Sequence, residues 1–294
     1  MRYFTLQKKM IAFMRITDAL QWAVAHEESL HTLASWTIIF VGVCVIFVET
    51  GLGARAPYGR FASLSDASWY GPPVNAKFAW CFQESLAFIV PCLLLILGDT
   101  TQAALQSAGN RVLLSMFMGH YAYRAFIFPF RMRGGKPMPI GICLLAASFC
   151  LFNGYVQGRA WTVFEVVPTP TATTASSMPL DVALFVAGTA LWTLGLYVNL
   201  QADHILRTLR KPGETGYKIP RGGAFELVSG ANYFGEIIEW IGYAIASGGR
   251  LPAIAFAFFT FANTAPRARH HHLWYLDKFD DYPKQRTAVI PYLW

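Results

Sequence analysis

Carboxylic acids, a phenol and several amides recur inside stretches of this chain that are otherwise apolar. Glu84 follows Gln83 in the run Trp80-Cys81-Phe82-Gln83-Glu84-Ser85, and Tyr121 and Arg124 stand three apart in the next run. Asn199 and Asp203 are four apart near the end of another, and Asn232, Glu236, Glu239 and Tyr243 recur at i, i+4, i+7 and i+11, one face of a helix. An ionisable group at membrane depth costs about 3 kcal/mol even on lenient insertion scales, so each is a candidate for function. Pairing between helices is the competing use. For Glu84 or Tyr121 alone the two uses weigh equally. The four-membered stripe weighs towards function, because the basic residues Arg207, Arg210, Lys211, Lys218 and Arg221 immediately precede it. Acids and amides facing a basic loop suit a ligand with hydroxyls or amides to hydrogen-bond and phosphates to neutralise. A nucleotide cofactor has both.

Other constellations carry less. His270, His271 and His272 are consecutive, and on a helix only residues three or four apart share a face, so no metal site is expected there. The cysteines Cys44, Cys81, Cys92, Cys143 and Cys150 lie in or beside apolar runs without a CxxC pair, which points to packing. Asp277, Asp280 and Asp281 read as a solvated face. Neither G-x-G-x-x-G nor G-x-x-x-x-G-K-[ST] occurs, so a dinucleotide would have to be held by helix ends and loops.

The elements that must position these groups are membrane helices. Of 294 residues, 54% are hydrophobic and 14% charged, against roughly a quarter charged in soluble domains. Apolar runs near residues 33–48, 78–98, 112–130, 138–155 and 180–200 are long enough to cross a bilayer as helices, and weaker ones occupy 224–247 and 251–265. The fold class is therefore an all-α integral membrane bundle of about seven transmembrane helices, with cytosolic loops completing a cofactor site. Residues 1–32 are an N-terminal extension in which Leu6, Met10, Phe13, Ile16, Leu20 and Val24 recur at helical spacing, the pattern of an interfacial amphipathic helix. Residues 33–294 form the membrane domain. Residues 159–179, rich in Thr, Ser and Pro, read as a loop. The net charge of +7 does not point to nucleic acid, since the basic residues sit in short clusters between spans. Arg55, Arg60, Arg131, Arg133, Lys136, the group before the stripe and the C-terminal tail fall on one side, which the positive-inside rule makes cytosolic.

From Asn199 to Ala246 the chain reads NLQADHILRTLRKPGETGYKIPRGGAFELVSGANYFGEIIEWIGYAIA, and its C-terminal part reads FAFFTFANTAPRARHHHLWYLDKFDDYPKQRTAVIPYLW. Together with FQE at 82–84, HYAYRAF at 120–126, MRGGKPMP at 132–139 and NGYVQG at 153–158, these stretches closely resemble the steroid 5α-reductases, from about residue 75 to the end. The resemblance implies a seven-helix reductase of the endoplasmic reticulum membrane that uses NADPH, without metal or flavin. Its carbonyl-binding pair falls on Glu84 and Tyr121, with Trp80 and Gln83 beside the substrate. Its cofactor contacts fall on Asn199, Asp203, Arg210, Tyr217, Asn232, Glu236, Arg267, His271 and Tyr275. Lys136 stands where relatives have an arginine, and a point charge replaces a planar fork there.

What is implied chemically is hydride delivery to the β carbon of a conjugated enone, which drives negative charge onto the carbonyl oxygen. Tyr121 supplies a phenolic donor to that oxygen, and Glu84 can donate while it holds its proton. A steroid or related lipid would enter from the bilayer. The alternative is the same chemistry on a polyprenol-type enone or an enoyl thioester. A methyltransferase or a receptor would have less use for the basic loops and the crowded polar set.

Overall fold

The computed structural model describes residues 17–19, 21–57, 59–61, 68–167, 180–211 and 213–294. Among them seven helices of sixteen residues or more follow one another: α1 Glu27–Ile46, α2 Ala76–Leu97, α3 Ala108–Phe126, α4 Ile140–Arg159, α5 Leu180–Thr208, α6 Ala231–Ala246 and α7 Leu251–Lys278. A two-residue antiparallel ribbon pairs Pro73 with Pro139 and Val74 with Met138, tying the approach to α2 to the approach to α4.

Burial sorts the helices by polarity. Glu27–Gly51, Ala76–Leu97, Ile140–Phe164 and Leu180–Thr208 are long and apolar enough to cross a membrane. They present Leu33, Trp36 and Phe40 on α1, Ile96 and Leu97 on α2, and Leu144 and Leu145 on α4 as exposed apolar side chains. Such a surface suits lipid and not water. Helices α3 and α6 carry more polar residues and bury them, among them His120 and Glu239. The observed class is an all-α, multi-pass membrane architecture.

Contacts between loops define two ends. At one, Glu27 pairs with Arg159 at 2.5 Å, and Arg250 pairs with Glu165 at 3.4 Å. At the other, Arg60 reaches Tyr275 and Arg267 pairs with Glu49 at 3.3 Å, joining the exit of α1 to the end of α7. The C-terminal tail folds back there: Ser229 N and Gly230 N donate to the carbonyls of Thr287 and Ala288, and the buried Arg286 donates to Pro220 O and pairs with Glu226.

Glycine sets the closest approach in the molecule. A methyl group at Gly188, Gly195, Gly235 or Gly242 would overlap the backbone nitrogen of Ala246, Glu239, Asn199 or Trp192 respectively. Both members of each pair are seven residues apart, so one stripe on α5 meets one stripe on α6 with the two backbones in contact. This seam brings Asn199 and Asp203 of α5 against the start of α6.

Four expectations change. The sixth apolar run is not one helix over 224–247: Gly222 and Gly223, at φ 89° and 55°, launch a short turn Gly223–Glu226, and α6 begins only at Ala231. The third run ends at Phe126, where Pro129 starts a separate turn, Phe128–Arg131. Residues 160–164, read as loop, continue α4 as a π-helical turn that buries Trp161. Helix α1 starts at Glu27, inside the segment read as an extension, and residues 168–179 of the Thr/Ser/Pro segment, with Leu6, Met10, Phe13, Ile16 and Leu20 of the expected interfacial helix, lie outside the described residues.

Candidate active site

Tyr121 sits on the inner face of α3, 5% exposed, in a box of rings. Phe117, His120, Trp240 and Phe256 place their centroids 4.8, 5.2, 6.4 and 6.4 Å from it. Three different helices supply that box, so the hydroxyl is held in a largely apolar chamber. Glu84 arrives from α2, whose start is fixed by the Asn75 side chain accepting from the backbone N–H of Lys77 and Phe78. Its Oε1 accepts from Gln83 Nε2 at 3.2 Å, and Oε2 lies 4.0 Å from Cys150 Sγ. Tyr121 and Cys150 belong to one packed core, so the Glu84 carboxyl reaches the same region from α2. Glu84 and Tyr121 therefore approach one region, from α2 and α3.

The α6 stripe divides. Glu239, fully buried, receives a hydrogen bond from His120 Nδ1 at 2.7 Å, and Tyr243 accepts from Trp161 Nε1 at 2.5 Å. The stripe is expected to face a ligand as a whole; these two members are bonded to side chains of α3 and of the turn that continues α4. Glu236 and Asn232, one and two turns nearer the basic end, are half-buried. Asn199 Nδ2 donates to Asn232 O at 2.9 Å, leaving Asn199 Oδ1 buried without a partner.

Arg124 pairs with Asp203 at 3.2 Å and lies over the rings of Trp80 at 4.9 Å and Phe128 at 4.4 Å. Trp80 is thus engaged with a cation and Asp203 with an arginine. Neither pairing was legible, because it joins residues far apart in the chain.

The basic end gathers the remaining positions. Tyr217, 40% exposed, meets Trp274 edge to face at 4.7 Å. His271 stacks with Tyr233 at 5.9 Å, its Nδ1 buried and unpartnered. Burial, with Arg60 and Arg267 nearby, pushes the His271 imidazole down to about 3, so it stays neutral at physiological pH. Tyr275 stacks on Tyr282 at 5.2 Å. Arg210 lines a cleft of about 340 Å³ with Arg133, Gly134, Gly135, Arg207, Lys211 and Glu214. Lys136 is exposed and outside that lining, and Arg133 stands there instead. A groove of about 490 Å³ bordered by Leu184, Ile241, Ile254 and Phe258 contains none of these residues and no polar side chain.

Comparison with known proteins follows the same outline. Residues 136–294 match the sequence profile of the family described as 3-oxo-5-alpha-steroid 4-dehydrogenase. The chain is 47% identical to 3-oxo-5-alpha-steroid 4-dehydrogenase 1 of Bos taurus over 251 residues, 85% of this chain and 91% of that one. To the Homo sapiens protein of the same name it is 45% identical over 270 residues, covering 92% and 97% of the two chains. To 3-oxo-5-alpha-steroid 4-dehydrogenase 2 of Homo sapiens it is 40% identical over 262 residues, 88% and 94% of the two.

Proposed function

The chain belongs to the 3-oxo-5-alpha-steroid 4-dehydrogenase family, and from that premise we propose that this oxidoreductase reduces the Δ4 double bond of a 3-oxo-Δ4 steroid, with NADPH as the electron donor. The observation that carries the reading is Tyr121 in a ring-lined chamber that also packs Cys150, with the Glu84 carboxyl reaching Cys150 from α2.

The residues suit a dinucleotide. Asn199 Oδ1 and His271 Nδ1 are buried polar atoms without partners, and an amide oxygen and a neutral imidazole nitrogen match the hydroxyls and carboxamide of such a ligand. Arg133, Arg207, Arg210 and Lys211 place four cations around a cleft with a single acid, Glu214, as a phosphate requires. When bound, NADPH would supply a hydride to the enone β carbon, and the resulting enolate takes up a proton at the α carbon, from Tyr121 or from water, to give the saturated ketone. Everything else falls to the chain. Tyr121 Oη donates to the 3-oxygen as charge develops there, and Phe117, Trp240 and Phe256 keep water from competing. A donor aimed at such an oxygen contributes about 3 kcal/mol to the barrier reduction. Glu84, oriented by Gln83, donates to the same oxygen from the opposite helix while it holds its proton. Asn232, Glu236 and Asn199 orient the nicotinamide end, and His271, Tyr275, Tyr217, Arg267 and Arg210 the nucleotide end.

In this reading seven helices span the endoplasmic reticulum membrane with the basic end and C-terminus in the cytosol. The steroid enters sideways from lipid, and the cofactor enters from water. The test is to incubate membranes carrying the protein with a 3-oxo-Δ4 steroid and NADPH and to analyse the products. A 5α-reduced 3-oxo steroid is expected. Unchanged steroid beside turnover of a polyprenol-type enone or an enoyl thioester would reassign the substrate.

A further inference from the structure

Arg60 has no part in the roles above, yet it is placed among the residues that do. It lies in the turn Gly59–Phe61 between α1 and α2. Its guanidinium carbon is 4.3 Å from the ring centroid of Trp274, 4.5 Å from that of Tyr275 and 5.3 Å from that of Tyr217. Nη2 donates to the Tyr275 hydroxyl at 3.0 Å, while Nη1 is buried and makes no hydrogen bond. The ion pairs among the described residues do not include Arg60. Its neighbour Phe61 packs on the His271 ring at 5.2 Å. One turn therefore touches Tyr217, His271 and Tyr275, three of the positions given to the cofactor.

A guanidinium lying among aromatic rings has lost much of its water and most of its freedom. Desolvating a cation without an anion is costly, and the neutral Tyr275 hydroxyl recovers only part of that cost. The nearby Glu49 is taken up by Arg267. What is left is a fixed N–H donor, one residue from the ring that packs on His271, at the end of the molecule where Arg133, Arg207, Arg210 and Lys211 also gather. A planar fork held in this way is suited to phosphate oxygens.

We propose that Arg60 is a phosphate ligand of the bound dinucleotide, held ready for it by Tyr217, Trp274 and Tyr275. The proposal rests on NADPH being the cofactor. Anchoring of the α1–α2 connection is the rival role, and the two differ in what they do to the protein without cofactor. A phosphate ligand removed leaves the cofactor-free protein as stable as before, or more so, because an uncompensated cation has gone. An anchor removed lowers its melting temperature.

The experiment measures NADPH and NADH binding by detergent-solubilised full-length protein, without steroid, for wild type, Arg60→Gln, Arg60→Lys and, as a control, the exposed neighbour Arg55→Gln. Melting curves are recorded without cofactor beside each. Loss of a charge-assisted hydrogen bond predicts about tenfold to a hundredfold weaker NADPH binding in Arg60→Gln. Arg60→Lys should fall between Arg60→Gln and wild type, and Arg55→Gln should match wild type. NADH weakened to the same degree assigns the pyrophosphate; NADH unaffected assigns the 2′-phosphate. Wild-type NADPH affinity in Arg60→Gln overturns the proposal, as does weaker binding that tracks a fall in the cofactor-free melting temperature. If Arg60→Gln does not fold, Arg60→Lys decides by the same two readouts. Absence of NADPH binding by the wild-type protein refutes the cofactor reading itself, and is seen before any variant is compared.

Discussion

Two side chains from different helices converge on one substrate oxygen in the proposed chemistry, and this makes a quantitative expectation at the residue scale. Glu84→Gln and Tyr121→Phe should each lower kcat about a hundredfold or more, the size of one oxyanion donor, while NADPH affinity stays within about twofold. The double variant should lose less than the product of the two, because both donors serve the same atom. Near-normal turnover in either single variant would remove it from the site. His271 provides a pH test in the protein without cofactor. Its folded value lies near 3, against an ordinary 6.5, because it is buried beside Arg60 and Arg267. The unfolded chain thus binds a proton that the folded chain refuses. The stability this histidine contributes is complete above pH 6.5 and is lost as pH falls from there towards 3. Melting temperatures between pH 7.5 and 5 should decline in the wild type and decline less in His271→Gln; parallel curves would count against a neutral buried imidazole. The polar residues themselves were legible in the sequence, since each interrupts an apolar run. Their partners were not: His120 with Glu239 and Arg124 with Asp203 join residues 119 and 79 positions apart, and no local spacing encodes such distances.

At the scale of elements, hydrophobic length gave every long helix, because a run that must satisfy its own backbone in lipid has few other choices. Local chemistry that periodicity does not register moved the boundaries. Gly222 and Gly223 adopt positive φ and hold 224–230 out of α6, and Pro129 ends α3 early. The α5–α6 seam was visible only as four glycines, and it decides whether Asn199 reaches Asn232. Gly195→Ala would drive a methyl group into the Glu239 backbone. We expect it to lower the melting temperature by several degrees and to weaken NADPH binding by separating Asn199 from α6. Gly119→Ala is the matched control: nothing lies within 4 Å of a methyl group there, and alanine favours a helix over glycine by about 1 kcal/mol. Equal stability of Gly195→Ala and wild type would mean that the two backbones are not in contact.

For the whole molecule, charge asymmetry and chain tracing make one joint statement. Arg131 and Arg133 follow α3, Arg207 and Arg210 sit at the end of α5, and Arg267 and Arg269 lie in the last part of α7. Contacts gather these ends with Arg60 and the folded-back tail, whereas Arg159 and Arg250 mark the opposite end and are each spent on a glutamate. In the proposed topology an odd number of crossings carries the chain from the Glu27 end to the tail's end. Because arginine and lysine near span ends resist translocation, the end that holds most of them should face the cytosol. The phosphates of the proposed cofactor would need that same end, so orientation and chemistry impose one requirement. A tag placed after Trp294 should therefore be digested by protease in cells permeabilised only at the plasma membrane. A tag inserted between Glu165 and Leu180 should survive until detergent opens the internal membranes. Protection of the C-terminal tag would put the basic end in the lumen and deny the proposed site its cofactor. Digestion of both tags would mean that the helices between them cross an even number of times, and one of α5, α6 and α7 would have to lie outside the bilayer core.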